Sequence, residues 1–382
     1  MSRLEYLVAG SVLRLLGLLF SLLPLRRDRV VLATARSAAL EGNLLHLRRA
    51  IAALRPDVEV VLLLEPYGYG LRAKVAYFGR LVRGMYHLRT AGLFVVDNAY
   101  LPVHLSPHRA GTTVVQVWHA AGALKRFGLD TAQPPAEPER TFLHRYYDWV
   151  VASGEASRGP WSASLRTPLE RVISLGTPRT DFFFDRDAMD AARARLRAAH
   201  PALDGRRVVL HAPTFRGRGM GKRAAPGLDA ARLRAALPPD HVLVLKTHPN
   251  LPPADVPTAG YDVVVDPGAE INDLLALTDV LVTDYSSSIF EYALLRRPLV
   301  LLAGDLATYE VDPGLYLDYR TEMIGTQVAD TDGVIAAIRE DRFDLAGYDA
   351  FIARHLSGCD GGASARFVER FVGARPAVER PS

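Results

Sequence analysis

The sequence predicts an α/β protein built on parallel, doubly wound sheets, and three observations carry that expectation. Short β-branched and apolar runs recur along the chain, among them Val58 to Leu64, Leu93 to Val96 and Val242 to Leu245. Between many of them lie amphipathic stretches of helix length, the alternation that βαβ units require. At 382 residues the chain is too long for one ordinary core and calls for two domains. The expected organisation is a helix over 1–25, a first domain over 26–185 and a second over 186–372.

Composition narrows the class. Apolar residues make up 49% and charged residues 23%, the balance of a globular chain. One cysteine, Cys359, excludes a disulfide framework and a cysteine-based zinc site, and fits a reducing compartment. The net charge of +4 is unevenly spread, with Arg26, Arg27, Arg29, Arg36, Arg48, Arg49, Arg72, Lys74, Arg80, Arg83 and Arg89 in the first quarter. Such a bias points to an anionic surface. No nucleic-acid motif accompanies it, so a membrane is the expected partner and nucleic acid is not.

Leu4 to Leu25 is strongly apolar from the start of the chain. Glu5 and Arg14 interrupt it, and Pro24-Leu25-Arg26-Arg27 is a poor cleavage site, which argues against a signal peptide. On a helical wheel Arg3, Gly10, Arg14, Gly17 and Ser21 form one narrow polar stripe on an otherwise apolar surface. That pattern fits a helix lying on a bilayer, with Arg14, Arg26, Arg27, Arg80 and Arg83 as the basic contacts. A helix packed on the protein's own core is the alternative, and a transmembrane span fits less well because of Arg14.

Arg29 to Ala33 reads as the first strand, Glu41 to Ala53 as a helix and Val58 to Leu64 as the second strand. Gly70 to Thr90 is a basic amphipathic segment. Leu93 to Asp97 and Thr113 to Trp118 are the third and fourth strands, and His119 follows in the loop. In sheets of this kind ligands bind at the carboxyl ends of the strands. His119 there serves either as a general base on an alcohol or as a structural histidine bridging the loop. Thr131 to Glu139 reads as a loop rich in proline and charge, followed by strands at Trp149 to Ala152 and Arg171 to Leu175. Gly176 to Asp181 leads to a hinge.

A charged helix from Asp187 to His200 opens the second domain, and Arg207 to Pro213 begins its sheet. Gly217 to Gly227 reads as mobile. Val242 to Leu245, Val263 to Val265, Asp279 to Val282 and Leu299 to Leu302 are its further strands, with a helix over Ile271 to Leu277 and a terminal helix over Asp360 to Val372. Between Val282 and Ile289 the chain reads Thr283-Asp284-Tyr285-Ser286-Ser287-Ser288. A strand turning into a helix leaves backbone N–H groups without helical partners, and Ser286, Ser287 and Ser288 add hydroxyl donors. The turn suits a phosphate or a diphosphate, although serines also cap helices for purely structural reasons. Thr214, Arg216, Lys246 and His248 fall at other strand ends of the same domain. Two cations, a histidine and several hydroxyls on one rim are what a diphosphate held without a metal needs. Asp284 belongs to this donor-binding set by position, and Glu291, one helical turn on, is a candidate acceptor for ribose hydroxyls. No metal-ligand spacing and no glycine-rich dinucleotide or P-loop fingerprint occurs, so no cofactor is expected.

These pieces make the chain resemble the CDP-glycerol glycerophosphotransferase family, the teichoic acid primases and polymerases. The matching residues are Trp118-His119 with Leu124-Lys125, Gly176-x-Pro178-Arg179-x-Asp181, Ala212 to Arg216, Lys246-x-His248-Pro249, Thr283 to Ser287 with Phe290-Glu291-Tyr292, and Arg297-Pro298, in order from about residue 26 to about residue 360. The resemblance implies a GT-B-like fold, two Rossmann-type domains facing each other across a cleft, in a monotopic enzyme on the cytoplasmic face of the cell membrane. It implies transfer of an alditol phosphate from CDP-glycerol or CDP-ribitol, as substrate, to a lipid-linked or polymer acceptor. His119 then matches the base, and Thr214, Arg216, Lys246, His248, Ser286 and Ser287 match the diphosphate site, with His248 also a catalytic candidate that hydrogen-bonds or protonates the leaving phosphate. Ala120-Ala121 departs from the family's usual Gly followed by Thr or Ser, and an added Cβ there narrows the pocket beside His119. A sugar-nucleotide glycosyltransferase and an inactive membrane-associated scaffold are the alternative readings. The alditol, the acceptor, the product length and the oligomeric state are not encoded in any residue pattern.

Overall fold

The computed structural model describes residues 3–66, 71–133, 135, 137, 139–217, 222–225, 227–248, 251 and 256–373, with side chains described from Tyr6 and from Ala76 in the first and third helices. Pro249, the middle of the Gly217 to Gly227 stretch, the side chains of Arg72 and Lys74, and the tail from Pro376 lie outside the described residues. The chain forms two compact units. One comprises Met1–Ala120, Phe127–Asp181 and Ser357–Ser382, the other Ala121–Arg126 and Phe182–Leu356.

The first unit carries β1 (Arg26–Thr34), β2 (Glu59–Leu64), β3 (Ala91–Val96), β4 (Thr113–Gln116), β5 (Trp149–Val151) and β6 (Val172–Ile173). They pair in parallel in the order β2-β1-β3-β4-β5-β6. This is the flavodoxin-like arrangement, with its reversal between β1 and β3. Val30, Leu32, Val95 and Val115 turn one face of the sheet onto Leu44, Leu47 and Ile51 of the Gly42–Leu54 helix. Phe367 and Val368 complete that core. The terminal helix, Ala363–Phe371, therefore belongs to the first unit and not to the second domain, where the sequence had placed it. Its amphipathic face fits a groove that nothing in its local sequence specifies.

The second unit carries β7 (Arg207–His211), β8 (His241–Lys246), β9 (Val263–Val265), β10 (Val280–Thr283), β11 (Leu299–Leu302) and β12 (Thr326–Val328). The order is β12-β11-β10-β7-β8-β9, all parallel. Counted within the unit this is 3-2-1-4-5-6, the Rossmann order, with the reversal between β7 and β10. β12 escapes a sequence reading because it is three residues long and none of them is fully buried. The expected α/β class with two parallel sheets is what the chain forms.

The N-terminal helix, Arg3–Phe20, lies on its own unit with Gly10 and Gly17 of the stripe turned inward. Gly10 and Gly17 allow close approach, and a Cβ on Gly17 would stand 3.0 Å from Arg89. Leu13 is fully buried, Arg14 donates from Nε to the Leu105 carbonyl at 2.8 Å, and Arg89 reaches Ser21 Oγ at 3.3 Å. Arg14 thus ties the helix to its own unit through Nε while the residue as a whole stays exposed. The outward face is Leu7, Val8, Val12, Leu15, Leu18 and Leu19, continued by Leu22, which is 83% exposed. Among the described residues no helix is long and apolar enough to cross a membrane.

Candidate functional site

The candidate donor site of the second unit sits where its topology predicts a ligand, at the carboxyl ends of β7 and β10 on either side of the order reversal. β7 delivers Thr214, Phe215 and Arg216, and β10 delivers the turn from Asp284 to Ser288. Asp284, buried, accepts from the Thr214 N–H at 2.9 Å and from the Thr214 hydroxyl at 3.0 Å. Its Oδ2 also lies 2.8 Å from Arg216 Nη1. Arg216 Nε and Nη2 reach Asp305 at 2.7 and 3.1 Å. The guanidinium lies over the rings of Tyr285 and Tyr309, which stack at 3.8 Å, and the Tyr285 hydroxyl donates to Asp305.

Burial works against the charge on Arg216, yet the bonds and charges of Asp305 and Asp284 outweigh it and its pKa is raised. Burial raises Asp305 too, but Arg216 and Tyr285 hold its carboxyl below the usual range. Thr214, Arg216 and Asp284, expected at the donor, are tied together by these bonds. In this structure they bond mainly to one another and to Asp305, because a buried guanidinium between two carboxylates is more stable paired than waiting. They form a post joining the ends of β7 and β10 to the Leu306–Val311 helix.

The serine turn divides likewise. The helix runs from Ser288 to Ala293, and Ser288 is buried with its Oγ 2.8 Å from Ser286 Oγ. Ser286 and Ser287 are half-exposed and are the accessible donors. Six residues give little dipole, so the hydroxyls and the first N–H groups carry the anion chemistry here. Glu291, on the same helix, is 2% exposed, which excludes a plain surface acid. Lys246 is buried at the end of β8 and donates to the Pro267 and Thr247 carbonyls at 2.6 and 3.3 Å. His248 is half-buried and meets the Phe215 ring at 4.8 Å. Both border the ends of β7 and β8, where a cavity of about 250 Å³ is lined by Thr214, Phe215, Thr247, His248, His211 and Tyr261 among others.

Three contributors were not read from the sequence. Asp305, Tyr285 and Tyr309 complete the post, and no local pattern relates Asp305 to Arg216 across 89 positions. Lys125 is the other surprise. Ala121–Arg126 belongs to the second unit although the chain on both sides belongs to the first. Ala121 is fully buried there, and Ala120 stays with His119 in the first unit.

In the first unit His119 follows β4 and is half-buried. Trp118 before it has φ 51°, a conformation costly for a large residue and held only because several groups fix it. Gln116 Oε1 accepts from the Trp118 N–H at 2.8 Å, and Asn43 Nδ2 donates to the Trp118 carbonyl at 2.7 Å. The Asn43 carbonyl oxygen accepts from the Arg179 N–H, and Arg179 Nη1 donates to the His119 carbonyl at 3.2 Å. Behind them the Tyr147 hydroxyl meets Gln116, His104 and His144, each at 3.0 Å. Burial lowers His104 to about 3 and drives His144 down as well, so this network stays neutral at physiological pH. The Trp118 ring packs on His119 at 4.5 Å and stacks on Phe127 at 4.7 Å. Gly176 to Asp181 is now explained: Arg179 holds the His119 backbone, and Asp181 accepts the N–H groups of Ala363 and Ser364 at the start of the terminal helix. At this unit's own order reversal, Asp97 follows β3. Burial pushes its carboxyl up to about 6 against the opposing pull of Thr34 and Arg36.

The sequence profile described as CDP-Glycerol:Poly(glycerophosphate) glycerophosphotransferase matches residues 16–373. The teichoic acid ribitol-phosphate primase of Bacillus spizizenii is 31% identical, over 96% of each chain. The teichoic acid poly(ribitol-phosphate) polymerase of the same organism is 32% identical over 92% of this chain and 57% of its own. Among solved structures, the wall teichoic acid polymerase TagF superposes with a TM-score of 0.75 at 19% identity, covering 97% of this chain and 95% of that one.

Proposed function

The chain belongs to the CDP-glycerol:poly(glycerophosphate) glycerophosphotransferase family, and from that premise we propose that it moves ribitol phosphate from CDP-ribitol to the hydroxyl of a lipid-linked acceptor. As a member of that family it is a phosphotransferase of alditol phosphates. The observation that carries the donor reading is the serine turn at the order reversal of a Rossmann-ordered sheet, with Ser286 and Ser287 accessible above the Asp284–Arg216–Asp305 post. Ribitol is preferred because the relatives at 31% and 32% identity are named for ribitol phosphate.

His119 takes the proton of the acceptor hydroxyl, whose oxygen forms a bond to the β-phosphorus. The bond from that phosphorus to the bridging oxygen breaks, and CMP leaves with the electron pair. Both reactants are anionic, so oriented donors must offset charge that builds up in the transition state. Ser286, Ser287 and the N–H groups of the turn supply them, His248 hydrogen-bonds the leaving phosphate, and Glu291 takes the ribose hydroxyls.

The protein works seated on the cytoplasmic face of a membrane. Supporting this, the N-terminal helix packs Gly10 and Gly17 on the protein and leaves Leu7, Val8, Val12, Leu15, Leu18 and Leu19 outward, and Arg14, Arg26, Arg27 and Arg83 are exposed in the same unit.

The test is CMP release from CDP-ribitol, CDP-glycerol and a UDP-sugar in the presence of lipid-linked acceptor. CMP from CDP-ribitol supports the reading, and CMP from CDP-glycerol alone replaces ribitol by glycerol. UDP release would overturn it in favour of glycosyl transfer.

A further inference from the structure

We propose that Lys125 is the cation that receives the donor's diphosphate on the second unit, an assignment that rests on the donor-site reading above. The segment Ala121–Arg126 leaves the first unit, packs into the second and returns. It is pinned by backbone on both sides of Lys125. Tyr316 N–H donates to Leu124 and Arg126 N–H to Gly314, each at 2.9 Å, and Lys125 bridges Leu315 antiparallel. Gly122 is required by the same docking: at φ +65° it lies against Phe290, where a Cβ would come within 2.3 Å of the ring. A segment held this tightly sets one side chain in one place.

That place is beside the post. Lys125 Nζ lies 5.8 Å over the Tyr309 ring, the ring that Arg216 covers at 4.9 Å. The charged groups acting on it are Asp284 and Arg216. Arg216 with Asp284 and Asp305 sums to one negative charge, so that cluster by itself repels a diphosphate. Lys246 points its ammonium at two carbonyls. Lys125, half-buried, donates no side-chain hydrogen bond among the described residues, which leaves an ammonium with three N–H groups awaiting acceptors. A bound phosphate oxygen would give that ammonium a charge-assisted hydrogen bond in place of solvent.

Burial lowers the Lys125 ammonium to about 8, with Asp284 opposing and Arg216 assisting. An arriving anion favours the charged form, so diphosphate binding takes up a proton above that pH. This gives a signature that a merely structural lysine lacks.

The experiment is calorimetric titration of the full chain with CDP from pH 7 to 9.5. CDP carries a fixed charge over most of that range, because the second phosphate pKa is about 6. Wild type is expected to lose about tenfold in affinity per pH unit above about 8 and to take up close to one proton on binding there. Lys125→Arg, charged throughout, keeps binding and loses the pH dependence. Lys125→Met, which retains the apolar stem over Tyr309, binds about 10- to 100-fold more weakly at pH 7, the range of one charged hydrogen bond. Wild-type affinity that is flat with pH overturns the assignment, as does unchanged binding by Lys125→Met. Ser286→Ala separates the two readings. If it weakens CDP while Lys125→Met does not, the donor site stands and Lys125 fails; if neither weakens CDP, both fail.

Discussion

Replacing Arg216 by Met separates a structural post from a phosphate clamp. In the structure the guanidinium has a side-chain exposure of 11% and bonds to Asp284, 5% exposed, and to Asp305, 27% exposed. Removing one partner of a buried ion pair costs about 3–5 kcal/mol, because the remaining charge loses its counterion without gaining water. Asp305 is exposed enough to rehydrate, so Asp284 dominates and the lower figure, about 3 kcal/mol, is expected. At about 1.4 kcal/mol per factor of ten, this means over 100-fold faster amide exchange wherever β7 and β10 open together. Hydrogen exchange read by mass spectrometry over residues 207–216 and 280–293 measures it, with residues 113–119 of the first unit as an unaffected control. Adding Asp284→Asn to Arg216→Met should restore much of the protection, since the stranded charge is then gone. Unchanged exchange in Arg216→Met together with a large loss of CDP affinity would refute the post and return Arg216 to direct phosphate contact.

Other consequences follow from the same geometry. Asn43→Ala leaves the Trp118 carbonyl and the Arg179 N–H without their shared partner; turnover should fall about 10- to 100-fold with CDP affinity unchanged, measured by CMP release and calorimetry. Asp97 has its folded pKa raised from 3.8 to about 6, so the stability it contributes is present below pH 3.8 and lost as pH rises through 6. Asp97→Asn should therefore stabilise the protein by up to about 3 kcal/mol at pH 7.5 and by little at pH 4, as read by the denaturation midpoint at the two pH values. Leu15→Glu with Leu18→Glu places charge on the outward face of the N-terminal helix without touching its packed stripe. Flotation with anionic liposomes should drop sharply while the circular dichroism spectrum is retained; undiminished binding would mean another surface holds the membrane.

Local features were legible in the sequence, and features that depend on distant partners were not. Asp279 to Leu302 could be read because a strand, a polar turn, a helix and a second strand follow within two dozen residues, each with its own pattern. His119 was legible for the same reason, as a polar residue just past an apolar run. The helical wheel of residues 4–25 gave the stripe and the apolar face but not which of them meets the protein; Gly10 and Gly17, the two smallest members of the stripe, were the available hint. Arg216 was expected to wait for an anion because its partner Asp305 lies 89 positions away. The terminal helix and Lys125 both join units that their neighbours in sequence do not, and only the packing of Phe367 and the fit of Gly122 under Phe290 reveals it.

The division of labour between the two units is tested most directly by CDP-ribitol binding and CMP release, measured side by side in wild type and His119→Ala. A base on the first unit and a donor site on the second predict unchanged binding with turnover lower by about 10²–10⁴, the usual worth of a general base. CMP release within tenfold of wild type, in folded protein that still binds the donor, would contradict the assignment.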